Sequence, residues 1–201
     1  KRTNALEFGC GFSTLIISKA LKENKNKYKN INFKNIGLNN TFQHSIVDDQ
    51  KKYIEITKKR NLKYFQSKKI NENFYYSKNK MTTFNNQICS EYQKLPNMIP
   101  DFIYLDGPDL DKIIGNINGI NITKNSNFTP MACDILKIEN LLLPGTLIMI
   151  DGRGLNASFL KHNLRRNWVF YYNTFSDQHF CYLDEISVGK KNANLCDFYD
   201  S

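Results

Sequence analysis

Apolar residues in this chain gather into short blocks separated by long polar stretches rich in lysine and asparagine. Ala5, Leu6 and Phe8, then residues 102–105 and 146–150, form blocks of strand length stopped by glycine or aspartate, and the mixed stretch 42–47 reads as a further strand leading into Asp48-Asp49. Between the blocks the spacing turns helical. A helix is predicted from Ser13 or Thr14 to about Asn24, and a second over 50–61 with Tyr53, Ile54, Ile56 and Thr57 on one face. A third is predicted over 131–143, closed by Pro144-Gly145. A fourth covers 156–167, with Phe159, Leu160 and Leu164 inward and His162, Arg165 and Arg166 outward. Residues 168–172 and 179–183 read as two strands joined hairpin-fashion. Alternating strands and helices predict one α/β domain over residues 1–201, with a mainly parallel sheet, an antiparallel C-terminal strand and helices on both faces.

The remaining stretches are less periodic. Residues 23–40 read as an insertion with a short strand near 31–36, 62–66 as a third strand, and 74–76 as another extended piece. Residues 67–93 hold no motif, 110–130 read as a mobile loop or a surface excursion, and the tail from Gly189 as loose.

Composition narrows the classes. The chain has 201 residues, 41% of them hydrophobic, which suits one globular domain with a substantial core. Its longest apolar run, near 141–150, is broken by Pro144 and Gly145 and falls short of the ~20 residues that cross a bilayer. No signal peptide is legible, and the sequence starts almost on its first strand. The five cysteines show no Cys-x-x-Cys pair and no regular spacing, so a reduced, cytoplasmic setting is expected, and Cys10 reads as a small residue fitting its turn. The net charge of +9 raises the prospect of nucleic acid. Yet the lysines are scattered among asparagines over 22–34, 51–69 and 190–191, as on solvated helix and loop surfaces, and no RNA-binding signature is present.

The chemistry concentrates in residues 4–14, Asn-Ala-Leu-Glu-Phe-Gly-Cys-Gly-Phe-Ser-Thr. Gly9 and Gly11 supply a turn without Cβ atoms, so that something can lie against the main chain, and the following helix offers free N–H groups at its start. A dinucleotide fingerprint needs a third glycine where Thr14 stands, and the acid Glu7 beside the turn repels a pyrophosphate while suiting an ammonium. Further along, Asp48-Asp49 ends the second strand, Asp106-Gly107-Pro108-Asp109 ends the fourth, and Asp151-Gly152-Arg153 ends the fifth.

The pattern Glu-x-Gly-x-Gly-x-Ser-Thr resembles motif I of the class I S-adenosylmethionine-dependent methyltransferases. The Asp-Gly strand ends and the Leu-Leu-Pro-Gly turn at 142–145 are similar to that family's fourth and fifth strand regions. The resemblance implies a Rossmann-like sheet, S-adenosyl-L-methionine as cofactor, and methyl transfer to a small-molecule acceptor, most readily a hydroxyl. It implies cofactor contacts from Gly9, Gly11, Ser13, Thr14 and Asp106, with Glu7 at the amino-acid end. The ribose falls to Asp48, with Asp49 as neighbour or substitute, although the spacing from Gly11 to Asp48 is nearly twice the about 20 residues of a compact dinucleotide unit. Everything in this reading requires Glu7 to face the glycine crevice.

Asp106 and Asp151, at neighbouring strand ends, form a pair that could act on the acceptor or share a Mg²⁺, as in metal-dependent O-methyltransferases. Asn directly follows the second Asp in the catechol type, whereas Gly152 does here. Both aspartates are equally compatible with ordinary turn chemistry. His44, His162 and His179 read as structural or exposed rather than catalytic. Two alternatives stand beside the methyltransferase: a nucleotide-dependent oxidoreductase, and a basic nucleic-acid-binding protein or RNA methyltransferase. No membrane partner is expected, and the amino-group DNA methyltransferase signature Asn-Pro-Pro-Tyr is absent.

Overall fold

A computed structural model describes residues 1–66, 71–123 and 128–201 of the chain. Its centre is strand β1 (Asn4–Phe8), in which every residue is buried. A strand buried on both faces needs neighbours on both edges. On one edge it pairs in parallel with β2 (Gln43–Asp48), and β2 in turn with β3 (Glu72–Tyr76). On the other edge β1 pairs in parallel with β6 (Phe102–Leu105), Leu6 opposite Ile103, and β6 continues into β7 (Leu147–Asp151). An antiparallel hairpin of β8 (Trp168–Asn173) and β9 (Gln178–Leu183) completes the sheet, with β9 against β7. The seven strands run β3-β2-β1-β6-β7-β9-β8, so the chain works outward from β1 in both directions.

Side-chain alternation divides the sheet. Leu6, Phe8, Ile103, Leu105, Ile148 and Ile150 point to one face, where they meet Leu160 of α4 (Gly154–Asn163) and Ile135 of α3 (Asp134–Ile138). Each such side chain contributes roughly 1.5–3 kcal/mol by leaving water. The opposite face carries α1 (Phe12–Lys27) and α2 (Lys51–Tyr64) over β1, β2 and β3. Beyond α1, this face bears Phe102, Tyr104, Leu147 and Met149, which floor an apolar trough of about 420 Å³ walled by Ile16 and Ile17. The five cysteines are free thiols. Among the described residues no helix is long and apolar enough to cross a membrane.

Several expectations change in three dimensions. The stretch at 31–36 is a 3₁₀ turn, Phe33–Ile36, started by the Asn32 side chain accepting from the Lys34 N–H, not a strand. Residues 62–66 finish α2 and turn; the third strand is Glu72–Tyr76, which includes the extended piece expected at 74–76. On α2 only Ile54, Thr57 and Asn61 are buried, while Tyr53 and Ile56 are exposed. The helix expected over 131–143 shrinks to α3 and a 3₁₀ turn, Glu139–Leu141. Arg166, expected outward, donates to the carbonyls of Glu139 and Leu142 and pairs with Glu185.

A hairpin, β4 (Asn79–Phe84) with β5 (Gln87–Tyr92), fills part of the stretch where no motif was legible. Its turn, Asn85-Asn86, has φ of 48° and 60°, the paired left-handed backbone that asparagine tolerates and two-residue hairpins favour. Residues 124–127 of the expected 110–130 loop, Lys68 and Lys69 of the lysine-rich stretch, and residues 67–70 of the motif-free one lie outside the described residues.

The tail is not loose: it forms α5 (Lys190–Asp200), with Leu195, Phe198 and Tyr199 buried. Phe198 meets Tyr28 and Phe33 edge-on at centroid distances of 5.1 and 5.5 Å. Phe198→Ala is therefore expected to destabilise the fold by about 3 kcal/mol in urea unfolding. A loss below about 1 kcal/mol would mean that α5 is not docked.

Candidate active site

The crevice lies where the sheet's winding reverses, at the carboxyl ends of β1, β2 and β6, the position at which open α/β sheets bind ligands. Two loops make its floor. Gly9 follows β1 with φ of +87°, and its N–H donates to the Val47 carbonyl at 2.9 Å. The Asp106 N–H, at the end of β6, donates to the Phe8 carbonyl at 2.9 Å. A Cβ on Gly9 would stand 2.9 Å from the Gly107 nitrogen, and one on Gly107 2.8 Å from the Gly9 nitrogen. The bare backbone expected to admit a ligand at Gly9 thus admits Gly107. At Gly11 a Cβ would meet nothing nearer than Ser13 Oγ at 4.0 Å, so that side of the turn is open.

Four carboxylates and one guanidinium line a cavity of about 270 Å³ above this floor. Asp48 Oδ2 accepts from the Cys10 N–H at 2.8 Å and its Oδ1 from the Gln50 N–H at 2.6 Å, so Asp48 ties the first loop to the start of α2. Burial raises its pKa against those two bonds. Asp49 beside it is buried, and its Oδ2 has no partner. Burial first, then repulsion from Asp48 and Asp109, pushes Asp49 up to about 7. Asp106 is open to the crevice, yet desolvation by the walls pushes it up to about 6, opposed by Arg153 and reinforced by Asp151. Asp109 accepts from the Gln50 side chain.

Sequence reasoning overlooked two residues here. Arg153, just before α4, is half-buried and donates to the carbonyls of Asp106 and Pro108, both at 3.2 Å, and of Pro130 at 3.4 Å; its Nε is buried without a partner. Desolvation lowers its pKa, and the charge of Asp106 resists that shift. Tyr92, at the end of β5, stacks on Phe8 at 5.8 Å, and its buried Oη also has no partner. Arg153 follows an Asp-Gly strand end and was in plain sight, whereas Tyr92 arrives only through the hairpin.

Glu7 departs from expectation. It is fully buried, with Oε1 accepting from Ser13 Oγ at 2.6 Å and Oε2 3.0 Å from His44 Nε2, and it does not line the crevice. A buried carboxylate needs such partners, because losing water without replacement costs several kcal/mol. His44 Nδ1 meets Ser18 Oγ at 2.8 Å, and that hydroxyl also lies within hydrogen-bond reach of Glu72. Ser13 is thereby committed to Glu7. Thr14 is buried, and its Oγ1 accepts the Gly11 N–H at 3.1 Å, closing one of the donors at the start of α1. The helix cap is Gly11, not Ser13 or Thr14.

Asp151 lies outside the crevice lining. Its Oδ2 accepts from Tyr104 Oη at 2.5 Å and its Oδ1 from the Gln178 amide at 3.2 Å. Both oxygens face protein donors. Among the described residues no cluster of three or more His, Cys, Asp or Glu could hold a metal. A cation shared by Asp106 and Asp151 would have to compete with Tyr104 and Gln178 for the oxygens of Asp151. His162 and His179 contact Ser158 and Tyr172 instead of the crevice.

No protein-family profile matches this chain, and no curated protein matches it significantly.

Asp134 supports the site from below: its Oδ1 accepts the Tyr92 N–H at 2.9 Å, and burial pushes it up to about 7. The folded chain keeps this proton up to about pH 7, while the unfolded chain gives it up near pH 4. In that window the fold binds more protons than the unfolded chain, so stability falls as pH rises from about 4 to 7 and then levels. Urea unfolding across pH is expected to show this fall, and Asp134→Asn to shrink it by on the order of 4 kcal/mol. An unchanged slope in the variant would place the titration elsewhere.

Proposed function

We propose that this chain is an S-adenosyl-L-methionine-dependent methyltransferase that acts on a hydroxyl of a small molecule. The observation that carries the reading is the acid-rich crevice at the reversal of the sheet, with the buried, unpartnered Oδ2 of Asp49 inside it. A parallel core ending in an antiparallel hairpin supports the class I methyltransferase form of the Rossmann-like sheet over a nicotinamide-binding one.

Charge supports the same choice. Asp48, Asp49, Asp106 and Asp109 face a single Arg153. Such a field repels a pyrophosphate and attracts a ligand bearing ammonium and sulfonium groups. It likewise disfavours a polyanion, so the +9 charge of the chain does not argue for nucleic acid at this crevice. Glu7 does not face the crevice as the sequence reading required, being committed to His44 and Ser13, so the proposal rests on the crevice aspartates instead, and the cofactor's cationic part falls to them. The ribose hydroxyls suit Asp49 Oδ2, which is free to accept, beside Asp48.

The cofactor supplies an electrophilic methyl group on sulfur. The chain's own work is to hold the acceptor's oxygen in line, exclude water and take the hydroxyl proton. Asp106, open to the crevice and poised near pH 6, is the base.

Calorimetric titration tests this. S-adenosylhomocysteine is expected to bind and NAD to bind at least about a hundredfold more weakly. Affinity for S-adenosylhomocysteine should fall as pH drops from 8 to 5.5, because Asp49 takes up a proton and accepts less well from the ribose, while protonated Asp106 stops attracting the ammonium. Asp49→Asn should cost about tenfold at pH 8. Binding of NAD with no binding of S-adenosylhomocysteine would overturn the assignment.

A further inference from the structure

The chain's positive charge has a definite place in the fold. α1 holds four lysines against one acid, Glu23, and α2 holds five lysines and Arg60 against one acid, Glu55. These two helices pack side by side and carry +8 of the chain's net +9, so the rest is nearly neutral. Lys22 and Arg60 are half-buried, and the other eight cations are exposed. None of the ten lines the crevice.

That charge works against the helices that bear it. Lys19, Lys22 and Lys25 recur at every third residue of α1, and Lys52, Lys59 and Lys63 form one stripe along α2. Like charges so placed repel each other. Among the described residues these cations form one ion pair, Lys19 with Glu23 at 3.9 Å. A polyanion laid on this face relieves the repulsion.

Aromatic rings are interleaved with the cations. Arg60 lies over Phe12 at 4.1 Å and Lys22 over Phe65 at 4.8 Å, linking α1 to α2 and its end. Lys51 over Tyr76 at 4.9 Å and Lys58 over Phe74 at 5.2 Å carry the pattern onto β3, the edge strand of the sheet. Phe12 is 75% exposed even so. An anionic membrane asks for apolar side chains gathered on one uncharged plane, and inserting these rings would drag their cations into hydrocarbon. A single strand instead offers a phosphate to each cation and a base to an open ring. We propose that the α1–α2–β3 face is a docking surface for single-stranded nucleic acid, with its lysines on the phosphates and Phe12 stacked on a base. The surface is separate from the crevice and holds whether or not the transferase reading does.

Fluorescence anisotropy on the full chain tests this, with a labelled uridine oligomer of about 15 nucleotides between about 50 and 200 mM salt. Affinity is expected to fall about a hundredfold over that range, the slope of about five neutralised phosphates. Lys52→Gln, Lys59→Gln and Lys63→Gln together should weaken binding about tenfold or more at the lower salt. Lys94→Gln, Lys161→Gln and Lys190→Gln together remove the same charge elsewhere and should weaken it less than about threefold. All six lysines are exposed, so neither variant should melt at a lower temperature. Phe12→Ala should weaken binding about fivefold or more with the salt slope unchanged. Equal losses in the two lysine variants, or an unchanged affinity in Phe12→Ala, overturns the proposal. So does tighter binding to polyglutamate, or to phosphatidylcholine vesicles containing phosphatidylserine, than to the oligomer at equal negative charge.

Discussion

The structure hangs on the parallel pairing of β1 with β6 and on the contact of Gly9 with Gly107 at the end of that pair. Two strands that carry their loops in opposite directions around the sheet can leave a crevice between them only if the loops first meet without side chains. At 2.8–2.9 Å between a notional Cβ and the facing nitrogen, neither position tolerates one. The contact brings Asp106 beside the first loop, and the bond from the Gly9 N–H to Val47 holds that loop against the end of β2, next to Asp48 and Asp49.

Charge is then distributed in two layers. Inside, Glu7 accepts from Ser13 and lies 3.0 Å from His44 Nε2, which contributes to holding α1 and β2 against β1. Above, Asp48 spends both oxygens on backbone N–H groups, while Asp49 keeps one oxygen free. The two acids that look most alike along the chain therefore do different work. One organises the loops, and the other remains available to a ligand.

Outside the sheet, the β4–β5 hairpin and the first turn of α4 build a wall of the crevice rather than a lid. Asn156 and Ser90 clamp residues 131–133 between them.

Much of this was legible in the order of residues. Strand-length blocks ended by glycine or aspartate located β1, β2, β6 and β7, because a strand buried on both faces is mostly apolar and must then turn, its buried polar residues such as Glu7 and His44 pairing with one another. The paired strands at the C-terminus announced the antiparallel hairpin. What periodicity could not reach were the elements whose burial depends on distant partners: α5, whose Phe198 needs Tyr28 and Phe33, and the hairpin, marked only by Asn85-Asn86. The site followed the same division. Glycines and strand-end acids are local features and pointed to the sheet edge where the crevice lies. Whether Glu7 faced the crevice or His44, what the oxygens of Asp151 bond to, and which residue completed the crevice depended on directions across strands far apart in sequence. Those are properties of packing, and only the tertiary structure decides them.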